Sequence, residues 1–160
     1  MGAVKLSYAD LLHVEYLHYG ESVELLVKGE LDAIIVSAGL GVKAVVDASK
    51  RAPVVLVPIE RDVAEANARM FFATSIPENT YPGQQQAVAT AALNNYFVTS
   101  ADVPESLVHD MTKAIFGNLE QIRAAHQAIR NISRESALAV RPIEVHPGAL
   151  RYFRASGVVK

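Results

Sequence analysis

Two short apolar runs with a helix-patterned stretch between them limit the folds open to this chain. Leu31-Asp32-Ala33-Ile34-Ile35-Val36-Ser37 and Pro53-Val54-Val55-Leu56-Val57-Pro58-Ile59 are short and rich in β-branched residues, the pattern of strands covered on both faces. Ala38-Gly39-Leu40-Gly41 stops the first run, and a helix is predicted from about Val42 to Lys50. Strand, helix and strand in so few residues predict a parallel βαβ unit with a right-handed crossover. The fold class is therefore α/β.

The flanking sequence fits this frame. Ser7-Tyr8-Ala9-Asp10 has the S-x-x-D form of a helix start and leads to His13–Leu17, predicted as a strand. Val23, Leu26 and Val27 share one face of a predicted helix over Glu21–Lys28, and Gly29 stands where a left-handed C-cap belongs. Glu60–Met70 is read as helix and Phe71–Pro77 as extended. Tyr81-Pro82-Gly83 signals a turn, because proline fixes its φ and glycine accepts the angles of a bend. Val88 to Thr99 can then be read with period two, as one long strand that carries the chain from one structural unit to another. Beyond it the sequence turns helical. Asp102-Val103-Pro104-Glu105 is a helix start, and Val108, Met111, Ile115, Leu119 and Ile122 form one stripe that Gly117 kinks or divides. Ser133 is placed to cap a helix over Arg134–Val140, and Pro147-Gly148 opens a last amphipathic helix through Arg154.

Composition narrows the function classes. The 160 residues are 51% hydrophobic and 20% charged, ordinary for a globular domain, and no apolar run approaches the roughly 18 residues of a membrane span. No direct membrane insertion is expected, and no secretion signal opens the sequence. A net charge of −2 argues against a general electrostatic grip on nucleic acid. The absence of cysteine excludes disulfides and thiolate metal sites. His13, His18, His109, His126 and His146 are scattered without metal-ligand spacing, so no metal is expected. Tyr8, Tyr16 and Tyr19 lack the basic neighbours of a nucleic-acid platform and are read as core or interface aromatics.

The sharpest local chemical signal is Gly39-x-Gly41-x-x-Ala44, which follows an apolar run and opens a helix. With Glu60 at the end of the next run it outlines a dinucleotide fingerprint, in which an NAD-like pyrophosphate sits at the helix start. That reading makes the chain a nucleotide-binding enzyme or sensor domain. A simpler reading has Ser37, Ala38, Gly39 and Leu40 offering a hydroxyl and backbone N–H groups to part of a small anion, and tight-turn geometry alone also accounts for the glycines. Ser37 is no nucleophile, since Ile35 stands where a G-x-S-x-G elbow needs glycine. Thr80, Tyr81 and Gln84 are candidate cleft residues, because a crossing between lobes commonly borders a ligand, while turn chemistry alone accounts for Pro82 and Gly83.

Taken in order, HVEYL, KGELDAIIVSAGL, APVVLVPIE, SIPENTYPGQ, FVTSADVPESLVHDMTKAIFGNL and VHPGALRYFRASG resemble the TAXI-type solute receptors of TRAP transporters, a branch of the periplasmic-binding-protein fold of the second type. The resemblance covers nearly all of the chain and implies no enzyme and no cofactor. It implies a periplasmic receptor that closes two α/β lobes on a small organic anion, such as glutamate, glutamine or another carboxylate, and presents it to TRAP membrane subunits. Carried over by position, residues 1–80 would be part of the second α/β lobe with its βαβ units. Residues 81–100 would be the crossover turn and strand, and residues 101–160 the C-terminal helices that pack on a first lobe largely absent here. Ser37, Ala38, Gly39 and Leu40 would lie at the cleft edge and Thr80, Tyr81 and Pro82 where the chain crosses back. Family members normally begin with a signal peptide and a glycine-rich first lobe. Their absence leaves open a truncated product without a transport role, self-associating through exposed first-lobe contacts.

Overall fold

Helix α1, Tyr19–Lys28, begins and ends as its sequence dictates. The Glu21 carboxylate accepts a hydrogen bond from the His18 N–H at 3.1 Å, and Gly29, at φ 75°, ends the helix by donating back to the carbonyls of Leu25 and Leu26. Only glycine takes such an angle without strain. The structure, a computed structural model, describes residues 6–66, 68–125, 129, 132–139 and 143–159. They fall into two compact units, Met1–Asn95 and Tyr96–Lys160.

In the first unit α1 packs on α2, Lys43–Arg51, with Val23 and Ala48 buried. Arg51 forks onto Glu24, with Nη2 to Oε2 at 2.8 Å. Its hydrogen bonds hold the Glu24 carboxyl below the usual carboxylate range. Both side chains are well exposed, so this pair orients the helices more than it stabilises them. A short helix α3, Arg61–Glu65, packs on a two-stranded antiparallel sheet. Strand β1, Phe72–Ile76, pairs with β2, Val88–Ala92, in a register running from Phe72 opposite Ala92 to Ile76 opposite Val88. Ala64 is the buried contact of α3.

The parallel βαβ sheet does not form among the described residues. Leu31–Ser37 and Pro53–Ile59 are extended but join no ladder, and the Ile59 N–H alone reaches the sheet, donating to the Ala89 carbonyl at 3.0 Å. Exposure explains the difference. Ile34, Val36, Val54 and Leu56 are half-buried, while Ile35, Val55 and Val57 stand 93%, 86% and 78% exposed. One face of each run is covered and the other is not, so a run that reads as doubly covered is covered once. His13–Leu17 likewise joins no strand, and the long strand shortens to β2, with residues 93–99 exposed. Helical structure after Glu60 stops at Glu65 and passes into turns. Tyr8 and Tyr16 lie exposed rather than in a core.

The second unit is helical. Helix α4, Glu105–Gly117, gives way to α5, Leu119–Ala125, at Asn118, so Gly117 marks a division of the predicted stripe. Helix α6, Pro147–Ala155, packs on α4. His146 caps α6 by accepting the Gly148 N–H at Nδ1, 3.1 Å, which places the ring proton on Nε2. Phe116 stacks on Tyr152 with centroids 5.9 Å apart, and Phe153 meets both rings edge-on at 5.3 and 5.5 Å. Together with Val108 these rings are the unit's apolar centre. The helix expected over Arg134–Val140 is a single 3-10 turn, Ser136–Leu138. Its N-cap position is Glu135 rather than the predicted Ser133, although the Ser133 hydroxyl accepts the Ser136 N–H at 3.0 Å. Val140 lies outside the described residues, as does His126.

Candidate functional site

Two loops of the first unit meet through tyrosine hydroxyls. The Tyr81 hydroxyl accepts a hydrogen bond from the Gly41 N–H at 3.2 Å, and the Tyr19 hydroxyl donates to the Ser37 carbonyl at 2.6 Å. Tyr81 is 8% exposed, so its ring anchors one loop while its oxygen holds the other. Of the residues singled out in the sequence, the structure thus joins Tyr81 to Gly41, the neighbour of Leu40. Ser37, Ala38, Gly39 and Pro82 are exposed, and Leu40 and Thr80 half-buried.

Local chemistry explains each loop. Gly41 takes φ 75°, which turns the extended run into α2. That helix starts at Val42 with no side chain capping it, so the Lys43 and Ala44 N–H groups have no intrahelical acceptor. Among the described residues the N–H groups of Ala38, Gly39 and Leu40 also have no partner. A row of unpaired donors at a helix start favours negative charge. Lys43, which pairs with Asp47 one turn on, adds a cation at the same end.

The second loop is a type II turn. Gly83 has φ 81° and the Gln84 N–H donates to the Tyr81 carbonyl at 3.1 Å, with Pro82 fixing the first corner. The Gln84 side chain holds the turn from within. Its Nε2 reaches the carbonyls of Pro77 and Gln86, both at 2.9 Å, and of Ile76 at 3.3 Å, while Oε1 accepts the Tyr81 N–H at 3.2 Å. Thr80 donates its hydroxyl to the Pro77 carbonyl at 2.7 Å, so it builds the loop. A Gly83→Ala substitution meets no atom within 4 Å, and its cost is backbone conformation alone. It is expected to destabilise the protein by about 1 kcal/mol, read as a lower thermal midpoint.

The chemistry of this surface is donation. Tyr81 uses a lone pair on Gly41, and its own O–H has no acceptor among the described residues. Among the described residues no cluster of His, Asp or Glu could hold a metal ion, and no helix is long and apolar enough to cross a membrane. Sequence reasoning missed Tyr19, since its contact lies 18 residues away and no local pattern marks it. Gln84, named in the sequence only as a candidate cleft residue, is the hub of the turn.

The chain is a member of the NMT1-like family, whose model matches residues 1–157. That family is periplasmic-binding-protein-like, and its members are solute-binding proteins rather than enzymes, typically extracytoplasmic.

Proposed function

We propose that this chain works in solute capture for a TRAP-type secondary transporter, as a TAXI-group receptor with a periplasmic-binding-protein fold of the second type. The cargo is a small organic anion such as glutamate, glutamine or another carboxylate. One observation carries the reading: the Gly41–Tyr81 hydrogen bond joins an uncapped helix start to a tyrosine whose O–H is free to donate. A carboxylate seated there would accept from the N–H groups near Gly39 and from Tyr81, and charge-assisted bonds of this kind are the strong ones. Ser37, Ala38, Gly39, Leu40, Thr80, Tyr81 and Pro82 form the ligand surface in this proposal. Capture proceeds by hinged closure without catalysis, and delivery to TRAP membrane subunits takes place in the periplasm.

Calorimetric titration with L-glutamate, and separately with NAD, tests the reading. Saturable glutamate binding is expected, weakened about tenfold or more by Tyr81→Phe, the size of one hydrogen bond to a charged group. Binding of NAD alone, abolished by Glu60→Ala, would install the nucleotide reading in its place. Self-association is a second reading, favoured by the exposure of Ile35, Val55 and Val57, since large apolar side chains left in water favour association. A sedimentation coefficient independent of concentration would remove it.

A further inference from the structure

We propose that the second unit carries its own ligand site, a cleft for a small organic carboxylate with an apolar body. The cleft measures about 460 Å³ and lies where the α4–α5 junction faces the segment that starts at Ser133. That volume suits a ligand of amino-acid size or somewhat larger. Phe116 and Leu119 supply apolar wall, and Gln121, Arg123, Ser133 and Arg134 supply polar groups.

The two arginines differ from ordinary surface cations. Arg123 is held on two sides, Nη1 donating to Glu120 at 2.8 Å and Nη2 to the Ile132 carbonyl at 2.5 Å. Its Nε is buried with no partner among the described residues, and a buried donor left unpaired is costly until an acceptor arrives. Arg134 is anchored by its Nε, which donates to the Tyr152 hydroxyl at 3.1 Å. Both of its Nη groups have no partner among the described residues, which leaves the flat edge that grips a carboxylate through two parallel hydrogen bonds.

Charge selects among anions. Glu120 and Glu135 also line the cleft, so among the described residues its four charged side chains sum to zero. A second negative charge on the ligand would meet these carboxylates without a matching cation. A monoanion with a planar head therefore fits better than a phosphate dianion. The site lies wholly within Tyr96–Lys160 and shares no residue with the Tyr81 surface, so each proposal stands or falls alone.

The test is an NMR titration of the full chain, following the arginine Nε–H resonances, with benzoate as probe and inorganic phosphate at matched ionic strength as comparison. Saturable shifts of the Arg123 and Arg134 signals with benzoate are expected, with shifts from phosphate at least about tenfold weaker. Arg134→Gln should weaken benzoate binding about tenfold or more, and Arg134→Lys, which keeps the charge but loses the fork, should also weaken it. Absence of saturable shifts in wild type overturns the proposal. Equal response to phosphate does so too, as does wild-type benzoate binding in Arg134→Lys.

Discussion

Replacing Gly148 with alanine is expected to destabilise the Tyr96–Lys160 unit by about 3 kcal/mol. A Cβ at this position would overlap the Glu105 carbonyl oxygen and lie 2.9 Å from the His109 nitrogen and 3.0 Å from the Val108 Cβ. Two of these three neighbours are backbone atoms of α4, which cannot rotate away as a side chain would. Gly148 is thus the point where α6 touches the backbone of α4, and relief requires the helices to part. Overpacking of a rigid contact costs about 1–3 kcal/mol, and parting the helices would loosen Val108, Tyr152 and Phe153, all buried. Urea unfolding followed by tyrosine circular dichroism reads the effect as a lowered midpoint. Gly20→Ala is the control. Gly20 lies in α1 with no atom within 4 Å of an added Cβ, and alanine there is expected to leave stability unchanged or raise it by up to about 1 kcal/mol. A Gly148→Ala midpoint equal to wild type would remove the close approach from the account of the α4–α6 contact.

The second large effect is expected from Gln84→Ala. The substitution withdraws one amide that serves the carbonyls of Ile76, Pro77 and Gln86 and the N–H of Tyr81. Each hydrogen bond contributes about 1 kcal/mol net, and a partly buried group left unpaired costs more. A loss of about 2 kcal/mol in the first unit is expected, with faster amide exchange at Tyr81. The consequence reaches the proposed ligand surface, because the turn positions the Tyr81 hydroxyl on Gly41. Glutamate binding by the proposed site should therefore fall more in Gln84→Ala than in Tyr81→Phe, which keeps the turn. The reverse order would separate the turn from the site.

Features set by neighbours in sequence were legible in the residues. The C-cap at Gly29, the division at Gly117, the start of α6 at Pro147 and the Tyr81–Gln84 turn all depend on angles that one or two residues fix. So did the donor-rich start of α2, read from Gly39 and Gly41. Features set by distant partners were not. Val55 and Val57 have strand character whichever face is covered, and propensity does not say whether a ladder partner lies beside them. The antiparallel pairing of Phe72–Ile76 with Val88–Ala92 depends on where the Gln84-centred loop returns the chain. Gly148 reads locally as a helix opener, and only the packed structure shows what a side chain there would strike. Tyr19 and Ser37 belong to the same class, each unremarkable until the other is beside it.

The Gly41–Tyr81 bond also bears on the order in which the first unit assembles. It joins residues 40 apart, and closing so long a loop costs chain entropy that one hydrogen bond barely offsets. The Tyr81–Gln84 turn and α2 close over a few residues and can form early. Their junction closes over far more chain and is expected to form after them. A ligand that bridges the two loops would thus act on the last and least secure step of folding, and slow the unfolding rate more than it speeds refolding.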